Sequence, residues 1–156
     1  MSDTEEFLAS VLPVLLEADT ALHNGDEALR KSLWSRTDPL TLFGAAMMTT
    51  GWAEIEATFD RLATRFSDCT SFDIEVVAAE ARGDLAYLVA VELTTASIGG
   101  DPSEPYSLRV TTIFRREAGA WKVVHRHADP MMNGASARDR LSVLRGSDVG
   151  ESRGPS

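Results

Sequence analysis

The stretch that decides the fold is Ala120–Pro130, AWKVVHRHADP. On a strand, successive side chains alternate between faces, so Trp121, Val123, His125, His127 and Asp129 share one face and Lys122, Val124 and Arg126 the other. Two of the chain's three histidines stand here, two residues apart, with a carboxylate two residues further on. The open readings are acid–base catalysis, metal ligation, ligand binding or ordinary strand filling. Trp121 and Val123, the larger apolar pair, favour the histidine face as the inward one, and a bulge in the strand would reverse that.

Working outward, the preceding segments continue the same period. YSLRVTTIFRRE (Tyr106–Glu117) is a strand joined to this one by a short turn. LAYLVAVELTTAS (Leu85–Ser97) is a near-continuous apolar strand of the kind found mid-sheet. SFDIEVVAAEA alternates, with Phe72, Ile74 and Val76 on one face, and turns at Gly83. Before Cys69 the period is helical. Leu8, Val11, Leu12, Leu15, Ala18 and Leu22 recur as one stripe, and with Ser10 as cap Pro13 falls in a tolerant first turn. Asp26 opens a short second helix through Leu29, Leu33 and Trp34, which Pro39 ends. LTLFGAAMMTTG is a short strand or hairpin turning near Gly44. Trp52, Ile55, Phe59, Leu62 and Phe66 stripe a third helix. Helices followed by a long antiparallel meander predict an α+β fold, with a strongly curved sheet enclosing a pocket. The domain spans residues 1–130. Residues 131–156 are a tail, with one marginal helix in SARDRLSVLR and a disordered end.

Composition narrows the function classes. The chain has 156 residues, 44% hydrophobic and 25% charged, enough for a single domain's core. Its net charge of −9 repels phosphate backbones, so no nucleic-acid partner is expected. A lone cysteine, Cys69, excludes an internal disulfide. There is no signal-like start and no long apolar run, so no membrane partner is expected and a cytoplasmic location is. His125 and His127 supply two zinc ligands at most on one strand, and His23 is the only other histidine, so neither metal nor other cofactor is expected. The basic Arg109, Arg115, Arg116 and Arg126 read as a solvated or dimer-facing outer surface.

The run helix–NGD–helix–LFG–helix beginning GW, then a meander ending FRREAGAWKVVHRHAD, resembles the nuclear transport factor 2-like superfamily, and within it the SnoaL-like or ketosteroid-isomerase-like bacterial proteins. The resemblance covers about residues 5 to 130. It implies a cone-shaped curved sheet with three N-terminal helices closing a pocket, and a homodimer packed through the outer face of the sheet. It implies the reaction much more weakly. The isomerase tyrosine, base and oxyanion aspartate fall at Ala18, Leu42 or Phe43, and Thr112, none of which carries that chemistry. The limonene epoxide hydrolase trio falls at Val89, Val91 and His127. The pocket arginines of the calcium/calmodulin-dependent kinase hub fall at Val89, Thr111 and Ala128.

What remains is a small, mostly apolar organic ligand in the pocket. A cyclase or isomerase of the SnoaL type would use His127 as its acid–base group, since a neutral imidazole suits proton transfer near pH 7. Tyr87 is the expected hydrogen-bond donor. The resemblance puts Trp34, Met47, Trp52, Val89, Val110, Thr112, Phe114 and His125 on the pocket wall. The alternative is a non-catalytic ligand-binding or dimerisation module.

Overall fold

The computed structural model describes residues 1–44 and 47–131. Helix α1 runs Asp3–Leu22, α2 Ala28–Ser32 and α3 Trp52–Ala63; the strands are β1 Thr41–Gly44, β2 Met47–Thr50, β3 Phe66–Arg82, β4 Leu85–Ile98, β5 Glu104–Glu117 and β6 Ala120–Pro130. They form one curved, unclosed sheet in the order β2-β1-β6-β5-β4-β3. The α+β architecture read from the sequence stands. The expected helix at SARDRLSVLR and the tail lie outside the described residues.

Helix α1 begins earlier than its apolar stripe. Ser2, not Ser10, is the cap: its hydroxyl accepts from the Glu5 N–H at 3.1 Å, and the Glu5 carboxylate accepts from the Ser2 N–H at 3.2 Å. This reciprocal box satisfies two helix-end donors. Pro13 therefore lies inside the helix. It stands on the exposed face, as does Ala9, whose carbonyl the missing N–H releases to solvent. Phe66, expected on the third helix, opens β3 instead.

The β1–β2 hairpin pairs antiparallel within itself, and β1 lies parallel to β6, with Leu42 opposite Arg126 and Phe43 opposite His127. Gly44 is required there. A Cβ would stand 2.6 Å from the Ala128 carbonyl oxygen, a backbone atom that cannot turn aside.

Helix α1 lies across the concave face. Its Phe7, Val11, Leu15 and Leu22 join Leu88, Ala90, Phe114 and Val123 of the sheet in one core. One irregularity governs everything that follows. Ile113 of β5 pairs with His125 and the next residue, Phe114, with Val123, so Val124 is an extra residue in β6. Such a bulge shifts the alternation by one. Val123 points into the core with no exposure, and after the bulge it is Arg126 that points the same way.

Candidate functional site

The concave face beyond the core is not apolar. Glu92 interrupts the apolar run of β4 in phase with the inward-facing Ala86, Leu88 and Ala90, and is 5% exposed. Arg126 reaches it with both guanidinium nitrogens, Nη1 to Oε2 and Nη2 to Oε1, each at 2.8 Å. This two-point geometry is the strongest an arginine–carboxylate pair offers. Burial by itself raises the Glu92 carboxyl; the charge and hydrogen bonds of Arg126 more than reverse this and hold it below the usual range.

A second pair lies beside the first. Asp19 and Arg30 are 2% and 1% exposed, but only one contact joins them, Arg30 Nη1 to Asp19 Oδ2 at 3.5 Å. Burial raises the Asp19 carboxyl above its ordinary value, and the Arg30 cation offsets this only in part.

His23, the helix-capping residue of α1, completes the cluster. Its Nδ1 lies 2.7 Å from the backbone carbonyl of Asp19. A carbonyl only accepts, so Nδ1 carries the proton and Nε2 is the acceptor for the hydroxyl of Tyr106. Burial lowers the His23 pKa, with the Asp19 carbonyl bond opposing, so the imidazole is neutral near pH 7. Burial raises the Tyr106 phenol, which keeps its proton as a donor.

All of these groups but Glu92 line a cavity of about 200 Å³. Its polar side is Asp19, His23, Arg30, Tyr106 and Arg126; Leu22, Leu42, Phe59, Leu62 and Phe66 supply apolar wall. An apolar recess with a few convergent polar groups is the usual form of a small-molecule site.

The residues singled out from sequence fall differently. Met47 lines this cavity. Val110 and Thr112 are buried on the same concave face, and Phe114 is deep in the core against Phe7, at 5.1 Å between ring centroids. Trp34 is core, 1% exposed. Trp52 lies outside the lining, under the Arg36 guanidinium at 3.5 Å. Tyr87 and Val89 are on the outer face, Tyr87 40% exposed.

His125 and His127 are the main correction. The Val124 bulge turns both to the outer face, opposite Ile113 and Thr111. There His125 Nδ1 meets Thr41 Oγ1 at 2.6 Å, and His127 Nε2 lies 3.2 Å from Asp129 Oδ2 with both side chains nearly half exposed. Arg126, expected outside, is inside. Among the described residues no group of three or more His, Cys, Asp or Glu could hold a metal ion, and no helix is long and apolar enough to cross a membrane.

Asp19, His23, Arg30, Glu92, Tyr106 and Arg126 were missed. Two carried a signal. Asp19 sits four residues after Leu15 and three before Leu22, on the buried stripe, and Glu92 keeps the inward phase of its strand. A charged residue at an apolar phase marks a buried polar cluster.

No curated protein matches the sequence. Among solved structures, a nuclear transport factor 2-like superfamily protein from Salmonella enterica superposes with a TM-score of 0.67 at 16% identity, covering 84% of this chain and 92% of that one. A protein from Streptomyces avermitilis, provisionally assigned as a dehydratase of that family, gives 0.65 at 18% identity over 83% and 99%. A ketosteroid isomerase-like protein from Erwinia carotovora atroseptica gives 0.64 at 19% over 82% and 98%. Such identities carry the fold. The model of the SnoaL-like domain matches residues 11–133, most of the chain, and the protein belongs to the SnoaL-like family, with the nuclear transport factor 2-like fold.

Proposed function

We propose that the concave cavity binds a small organic molecule bearing a carbonyl and moves a proton on it, with His23 and Tyr106 as the acid–base pair. The observation that carries this is the fixed tautomer of His23. With its proton committed to the Asp19 carbonyl, its free lone pair faces the Tyr106 hydroxyl inside an apolar recess. A substrate carbonyl competing for that hydroxyl would uncover His23 Nε2. The imidazole would then take a proton from the adjacent carbon, and the electron pair would move onto the oxygen that Tyr106 holds. Isomerisation and intramolecular ring closure both begin with this step. The cavity volume, about 200 Å³, is below the roughly 300–1,000 Å³ of drug-sized sites. That favours a compact substrate over a steroid or polycyclic one.

Deuterium exchange at the carbons next to the carbonyl of cyclohexanone, followed by NMR in heavy water, tests this directly. Wild-type protein is expected to accelerate exchange over buffer. Tyr106→Phe and His23→Gln should each lose about 10²–10⁴-fold of that acceleration, the usual contribution of a positioned acid or base. His127→Ala, on the outer face, should keep it. Equal rates in wild type and His23→Gln would sink the assignment.

A second reading, compatible with the first, concerns the outer face of the sheet. It exposes Tyr87, and Val89 and Ile113 flank it half-buried. This favours a homodimer packed through that face, as apolar surface rimmed by polar groups favours association. Val89→Arg is expected to turn a dimer into a monomer in sedimentation experiments. A wild-type protein that sediments as a monomer would reject it.

A further inference from the structure

The two arginines of the cavity differ in one respect. Arg126 is matched, nitrogen for oxygen, by Glu92. Arg30 is not. Among the described residues its single carboxylate contact is 3.5 Å long, and its Nη2 is buried without a hydrogen-bond partner. Its other near neighbour is the Phe59 ring, 5.9 Å from the guanidinium carbon to the centroid. An unmatched buried donor on a cation costs more than a neutral one, and Arg30, the residue that carries it, is part of the cavity wall.

From this we infer that the ligand is a small acid, whose carboxylate is held by Arg30 while its apolar body lies against Leu42, Phe59 and Leu62. This rests on the cavity reading above and names the chemical class that the cavity takes. A carboxylate fits better than a phosphate. A phosphate's larger charge needs several donors, and the second guanidinium of the cavity is already engaged. The carboxylate and the carbonyl handled by Tyr106 and His23 would be two groups of one substrate, an oxo acid. Arg30 is then a binding residue that orients the reacting carbon.

Benzoate and benzamide have nearly the same shape and differ in charge, and both are small enough to probe the cavity. Each is titrated into the full chain while the backbone amide resonances of Leu22 and Tyr106 are followed. Benzoate is expected to bind at least about tenfold more tightly than benzamide, the range of one hydrogen bond to a charged group. Arg30→Gln should erase that preference. Because this variant leaves Asp19 buried without its cation, the Asp19→Asn/Arg30→Gln double variant, which keeps a neutral pair, is measured beside it with the same expectation. Benzamide binding as tightly as benzoate to the wild type would overturn the carboxylate assignment and leave the cavity as a site for neutral ligands. A benzoate preference that persists in a folded Arg30 variant would overturn it too. If neither compound moved the cavity resonances, both this inference and the cavity reading would fall.

Discussion

Arg126→Met is expected to lower the free energy of unfolding by about 3–5 kcal/mol, the cost of leaving one member of a buried ion pair without its partner. Glu92 is 5% exposed and takes both of its charge-assisted hydrogen bonds from this one side chain. Without Arg126, burial would push the Glu92 carboxyl upward, toward the neutral form. The sign of the pH dependence then changes. In the wild type a depressed folded pKa gives stability that is present above the normal carboxylate range and lost as pH falls through the lowered value. In the variant a raised folded pKa makes stability increase as pH falls from that value toward the normal one. Urea unfolding at two pH values reads both effects. Glu92→Leu/Arg126→Met should recover most of the loss, because an apolar pair has no charge to desolvate. A single-variant loss under about 1 kcal/mol, the range of exposed ion pairs, would show that the pair is solvated in solution.

Phe7→Ala should cost about as much, roughly 3–5 kcal/mol, by a different route. Phe7 has no exposure, and its ring meets Phe114 at 5.1 Å and Trp121 at 5.2 Å, both edge-on. It anchors the first turns of α1 to the β5–β6 hairpin. The same helix carries Asp19 and ends at His23, so loosening it moves two members of the polar cluster. Exchange activity in Phe7→Ala should therefore fall even where the variant remains folded. Phe7→Leu, which keeps most of the volume, should cost less than about 1.5 kcal/mol. Equal losses for Ala and Leu would mean that the edge-on ring contacts, and not the filled volume, hold the helix.

The fold was legible because its signals are periodic and long. Long strands such as β4 and the stripe of α1 state their own type, and the turn at Gly83 separates β3 from β4. The parallel pairing of β1 with β6 was not legible, since nothing local in Thr41–Gly44 specifies a partner more than eighty residues away. The site failed for a narrower reason. Reading His125 and His127 inward required strict alternation through Val123 and Val124, two adjacent identical residues that give no hint of an extra one. Asp19 and Glu92 could have been found, as charges in apolar phase. Tyr106 and His23 could not have been paired, because the chain between them is most of the domain.

The Val124 bulge also affects how this strand would record mutation. In a regular strand, substitutions that matter alternate with substitutions that do not, from one end to the other. Here that rhythm slips by one beat. Up to Val123 the odd positions answer to the interior; from Arg126 onward the even ones do. A scan of replacements along Trp121–Pro130 would thus read as two half-messages in opposite phase. Deleting the single residue Val124 would rejoin them with every face kept: His125 would follow Val123 directly, still opposite Ile113, and Arg126 would stay opposite Thr112, pointing inward.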